Sequence, residues 1–201
     1  MMSRILKRLL GSKIAIDTGK LEKVAALSFK NSQYDDLIQR LYFASQHSTE
    51  VQNFFYQYQQ KSTLLEESSY IPINEELELL RLYIRLNELL QAEHFYIQYQ
   101  ENVEPSSIYV PPLILFPLIQ NAIQNGYNNM EKYPIKIRLK VYAHVVHVEV
   151  SNRVNHHLPN QEITGLIDDH KSRLDFHFKD RHSLLFNSNS NTFKASLHLP
   201  F

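Results

Sequence analysis

Gln120, Asn121, Gln124 and Asn125 crowd one short stretch of the sequence, PLIQNAIQNG at 117–126. An amide oxygen can ligate a hard cation or accept a hydrogen bond, and the amide nitrogen can donate one. None of the four can take up a proton, so general-base chemistry is not available to them. They read equally well as the wet face of a helix packed through Leu115, Leu118, Ile119 and Ile123. His144, His147, His156 and His157 are the other candidates for chemistry. His144 and His147 fall in a turn and a strand with opposite orientation, and adjacent His156 and His157 diverge if extended, so a solvated loop accounts for them better than a metal. No serine lies in a tight glycine-flanked turn of the kind that exposes a nucleophile.

The elements that must position these residues are written in the periodicity. Apolar residues recur at helical spacing from about Leu21 to Lys61, as in Tyr34, Leu37, Ile38 and Leu41 and again in Val51, Phe54, Phe55 and Tyr58, which predicts two or so long helices. Their aromatic content suits a helix–helix interface and equally a core. Pro72 and Asn74 predict the start of another helix, with Glu75 and Glu76 in its first turn, where the dipole favours acids. FYIQYQ alternates as a strand does, and the amide helix follows Pro111 and Pro112. IKIRLKV at 135–141 and VVHVEV at 145–150 predict a hairpin with Lys136, Arg138 and Lys140 on its wet face. A helix is expected around Gly165 to Phe178, then HSLLF and FKASLHL as strands joined by the turn-forming NSNSN. The order predicts a helical half followed by a sheet with helices on one side.

Composition narrows the classes. Lys+Arg and Asp+Glu both total 21, so the chain has no global field to attract nucleic acid or a membrane surface. The absence of cysteine removes disulfides, thiol catalysis and thiolate metal sites, and fits a reducing compartment. No apolar run approaches the ~20 residues of a spanning helix. MMSRILKRLL is basic and amphipathic without a long apolar segment or a small-residue cleavage site, and reads as a frayed or docked helix rather than a signal or membrane anchor.

Three stretches carry a resemblance. YIPINEELELLRLYIRLNELL, then VPPLILFPLIQNAIQNG, then an alternating hairpin ending in VSN, resembles the core of sensor histidine kinases of the LytS type. More weakly, TGLIDDHKSRL and RHSLLF extend it. The resemblance implies an α+β chain: an N-terminal helical, dimerisation-like region over 1–93, then a GHKL ATPase-like α/β sandwich over 94–201, joined near 91–95.

It also implies a site for Mg-ATP, which this chain keeps only in part. Asn121 matches the family asparagine that helps hold Mg²⁺ on the triphosphate, so it is both the metal and a nucleotide candidate. Gln120 stands where the family has its acid, and Asn125 where it often has histidine. Asn152 matches the aspartate that accepts from the adenine amino group, and an amide carbonyl can still accept. Arg153 and Val154 then occupy the space of the family's glycines. Of the Gly-x-Gly-Leu phosphate loop only Gly165 survives, and the chain has only four glycines in all, at 11, 19, 126 and 165. A β-branched Ile163 resists the positive φ such loops use. The phosphoacceptor region, around AALSFKNSQ at 25–33, has no histidine, and His47 further on lacks the flanking pattern.

The expectation is therefore a degenerate histidine kinase of two-component signalling, with no catalytic residue, cytoplasmic, acting by contact. Its partners would be a second copy or a histidine kinase, and a response regulator. An ATP-binding kinase and a nucleotide sensor without turnover, each using Asn121 and Asn152, stay open beside it.

Overall fold

The computed structural model describes residues 18–43, 48–66, 69–90, 95–127, 130–156 and 165–201. Three long helices come first: α1 (Thr18–Phe43), α2 (Thr49–Thr63) and, after the two-residue strand β1 (Ile71–Pro72), α3 (Ile73–Leu90). Then come β2 (Ile97–Val103), β3 (Tyr109–Val110), α4 (Phe116–Asn125), β4 (Ile135–Tyr142), β5 (Val145–Arg153), α5 (Gly165–Phe178), β6 (Ser183–Ser188) and β7 (Thr192–Pro200). The opening basic segment, His47, His157, Ile163 and most of the expected 91–95 junction lie outside the described residues.

Five strands form one sheet in the order β2-β4-β5-β7-β6, and β1 and β3 pair separately as a short antiparallel ribbon. β2 runs parallel to β4, so α4 is the crossover between them, whereas β4, β5, β7 and β6 are antiparallel neighbours. The alternation read from 135–141 is the burial pattern of β4: Ile135, Ile137, Leu139 and Val141 are buried, and Lys136, Arg138 and Lys140 face water. Val146, Val148, Val150, Phe193, Ala195, Leu197 and Leu199 continue the buried face, and α4 packs against it at β4 and β5. Among the described residues no helix covers the opposite face, which is polar apart from Leu185. A mixed α/β fold, helices first and a one-sided sheet second, is thus present.

The helices are held in two ways. α3 buries a broad stripe, Leu77, Leu79, Leu80, Tyr83, Leu86 and Leu90, and packs against α2. Among its described side chains, α1 buries an apolar stripe of Ala25, Ala26 and Leu37 with two polar residues, Glu22 and Gln33. Polar side chains supplement that stripe. Tyr58 of α2 donates to Gln33 Oε1 at 2.6 Å, Tyr34 hydrogen-bonds Ser62, and Arg40 donates to Asn87 Oδ1 of α3 at 3.3 Å. Where α1 meets α5, Arg173 Nε lies 3.3 Å from Glu22 Oε1, with the two side chains 1% and 4% exposed.

Candidate functional site

Two prolines keep residues 111–115 out of helix, and all five are buried. Leu113 takes φ 60°, a left-handed conformation that costs a branched residue energy. Buried amides there need acceptors, and Glu76 of α3 supplies them: Leu113 N–H donates to Oε2 at 2.8 Å and Leu115 N–H to Oε1 at 3.0 Å. Burial pushes the Glu76 carboxyl up to about 7, against the opposing pull of those amides and of Arg173. Arg173 also donates to the Pro112 carbonyl at 2.9 Å. The start of α4 is therefore gripped from α3 and α5 together.

Gripped in this way, α4 is buried from Phe116 through Ile123. The wet-face reading of its amides fails at two positions: Gln120 is 1% and Asn121 3% exposed, because α4 lies between the sheet and the other helices. Only Gln124 faces solvent openly. Gln120 Nε2 donates to Ser32 Oγ of α1 at 3.0 Å. Asn125 Nδ2 donates to Asn121 Oδ1 at 2.8 Å, so the oxygen proposed for a cation already accepts a bond.

Asn152 lies on the buried face of β5, opposite Phe193, and donates through Nδ2 to the Arg153 carbonyl at 2.8 Å. It packs on the chain just past α4. A Cβ placed on Gly126 would overlap the Ala122 carbonyl oxygen and lie 2.9 Å from Asn152 Nδ2. Gly126→Ala is accordingly expected to cost about 1–3 kcal/mol, read as a lowered melting temperature. An unchanged melting temperature would show that neither the Ala122 carbonyl nor Asn152 crowds this position.

Asn121, Asn125 and Asn152 are thus gathered at the C-terminal half of α4. Gly165 opens α5 across a cleft of about 430 Å³ lined by Ser28, Ser32, Gln124, Asn125, Gly165 and Asp169. It is exposed, and nothing lies within 4 Å of where its Cβ would stand, so no close approach requires glycine there. Set against a Mg-triphosphate, these residues do not fit. Among the described residues the cleft offers the polyphosphate no lysine or arginine, and the one ionisable wall residue is Asp169, whose carboxyl burial and Asp168 push up. No group of three His, Cys, Asp or Glu residues gathers as a metal site among the described residues.

Sequence reasoning missed several residues. Glu76 was read as a first-turn acid, and yet it stands on the stripe of Leu79, Leu80 and Tyr83, where an exposed acid has no place. Arg173 and His170 share the buried stripe of Ile167, Leu174 and Phe178 in the same way. Burial lowers the His170 imidazole to about 3, helped by Arg173 and His182, so it is neutral. His147 faces His198 across β5 and β7, with ring centroids 6.3 Å apart, a pairing that only the register reveals.

No family model matches the chain. No curated protein matches it. Among solved structures, similar folds belong to histidine kinase catalytic domains at low identity. That of ThkA is 18% identical, covering 66% of this chain and 94% of its own, with a TM-score of 0.45. The histidine kinase domain of a blue-light activated kinase from Erythrobacter litoralis is 11% identical over 91% of this chain and 93% of its own, TM-score 0.46. A bacterial phosphotransferase is 9% identical over 91% and 96%, TM-score 0.47. No helix among the described residues is long and apolar enough to cross a membrane.

Proposed function

We propose that the chain is a sensor-histidine-kinase-like module of two-component signalling that works by protein contact and has lost phosphoryl transfer. The observation that carries this reading is the hydrogen bond from Gln120 Nε2 to Ser32 Oγ at 3.0 Å. Ser32 belongs to the stretch 25–33, where the resemblance puts the phosphoacceptor, and Gln120 stands where it puts the acid. In a kinase this would be the meeting of an imidazole nucleophile with a carboxylate. Here a hydroxyl meets an amide, neither of which takes a proton near neutral pH. The contact holds α1 against α4, a useful property in a module that signals through its surfaces. A second copy or a histidine kinase is the partner this reading implies, with a response regulator beyond it and the cytoplasm as its compartment.

Calorimetric titration of Mg-ATP into the protein and its Asn121→Ala variant tests the proposal. No heat is expected from either protein up to millimolar ATP. Micromolar binding abolished in the variant would overturn the proposal and favour an ATP-binding kinase or a nucleotide sensor.

A further inference from the structure

On the uncovered face of the sheet, the ends of β4, β5 and β7 form a cup of about 210 Å³, lined among others by Lys132, Tyr133, Lys136, Ser151, Arg153 and Thr192. Register explains the gathering: Lys136 pairs with Ser151, and Arg153 with Thr192. Asn152, between Ser151 and Arg153, also lines the cup, but the cup and the α4 cleft share no lining residue. The cup is thus separate from that cleft.

Its charge is one-sided. Among the described residues the lining holds two lysines and an arginine and no aspartate or glutamate. Two other cations on the same face share an acid: Glu149 lies 3.2 Å from Arg138 and 2.5 Å from Lys194. Lys132, Lys136 and Arg153 make no such pair with any described residue. Aromatic rings hold two of them in place without neutralising them. The Arg153 guanidinium lies 5.7 Å from the Tyr127 ring and 5.1 Å from that of Tyr133, and Lys132 Nζ lies 5.6 Å from the same Tyr133 ring. Like charges gathered at a strand end repel unless an anion joins them.

The geometry points to a binding site for a small phosphomonoester in this cup. An arginine fork takes phosphate oxygens two at a time, lysines add point charges, and the Ser151 and Thr192 hydroxyls donate at the rim. Three cations suit a dianion better than a carboxylate monoanion. The volume lies below the roughly 300–1,000 Å³ of sites for drug-sized ligands, so the ester must be small. Such a site owes nothing to the α4 amides and stands whether or not Mg-ATP binds.

The test is calorimetry with inorganic phosphate and with glycerol 2-phosphate, without magnesium, at low ionic strength. Saturable binding of both is expected, tighter for the ester and lost as pH falls through about 6, where the dianion takes a proton. Lys136→Gln combined with Arg153→Gln should weaken both at least tenfold with circular dichroism unchanged. Lys140→Gln, on the same face outside the cup, should leave them as they were. No saturable binding would overturn the assignment, as would equal weakening by Lys140→Gln. Attachment only to vesicles containing phosphatidic acid, with neither soluble probe bound, would overturn it in favour of a membrane headgroup.

Discussion

Arg173→Met is expected to cost about 3–5 kcal/mol of unfolding free energy, because it leaves the Glu22 carboxylate buried without its cation. Arg173 is 1% exposed, lies 3.3 Å from Glu22 Oε1 and donates 2.9 Å to the Pro112 carbonyl, so one side chain ties α1, α5 and the proline loop together. Glu22 keeps one neighbour, His177 Nε2 at 2.9 Å, whose Nδ1 is bonded to Tyr70. Burial holds that imidazole below its usual range in spite of Glu22, so near neutral pH it supplies a hydrogen bond and no full charge. The double variant Glu22→Gln with Arg173→Met removes the stranded charge and should recover part of the loss. Since Glu22 belongs to α1, the damage should concentrate there. Hydrogen exchange over Thr18–Phe43 should rise well before that of β4 and β5. Urea unfolding checks the magnitude. A loss below about 1 kcal/mol, with α1 exchange unchanged, would mean that Glu22 and Arg173 do not hold this helix.

Much of the architecture was readable because it is local. β4 and β5 alternate over contiguous residues joined by a short turn, and NSNSN marks the β6–β7 turn, where Asn189 Oδ1 accepts from Asn191 N–H and Thr192 N–H at 2.8 Å each. The helix expected around Gly165 to Phe178 has those bounds. What stayed hidden is non-local. Nothing in IQYQENV says that its neighbour is Ile135–Tyr142 in parallel, since that pairing depends on where α4 carries the chain. The amides of α4 read by polarity as outward, and tertiary packing reverses that for Gln120 and Asn121 by covering the helix from Phe116 to Ile123. Glu76 and Arg173 were legible in principle, as charges standing on apolar stripes, a spacing that asks for a buried partner. The candidate site was half legible. The spacing from Asn121 to Asn125 foretells a one-turn hydrogen bond, whereas the approach of Asn152 to Gly126 requires the end of β5 to arrive beside α4. The basic cup was illegible, because Lys136 and Arg153 meet only through the register of the strands.

Glu76 is expected to make the protein less stable as pH rises from 5 to 8. Its carboxyl has an ordinary value of 4.5 and is pushed up to about 7 in the fold, chiefly by burial. Between those values the folded state binds the proton that the unfolded state has released, so ν for the native state is the larger and stability falls with pH. The contribution is fully present below about 4.5 and is lost as pH climbs through about 7, a loss of about 3 kcal/mol at 1.36 kcal/mol per unit. Glu101 and Glu149 act in the opposite sense: their arginine and lysine partners, with Tyr99 at Glu101, hold them below the usual carboxylate range in spite of partial burial, so their stabilisation is lost on acidification. The difference between the wild type and Glu76→Gln therefore isolates Glu76. Glutamine keeps one acceptor for Leu113 or Leu115, sets its own N–H₂ against the other amide, and does not titrate. Its unfolding free energy should be lower than the wild type's at pH 5 by about 1–3 kcal/mol, and the gap should shrink or reverse by pH 8. Glu76→Leu goes further. It strands two buried N–H groups beside a residue already at φ 60°, and should cost about 2–5 kcal/mol at pH 5. Urea titrations at pH 5 and 8 measure all three proteins. Parallel pH slopes in the wild type and Glu76→Gln would show that the carboxyl is ionised in the fold, in which case the clamp on the start of α4 is a carboxylate held by amides rather than a buried acid.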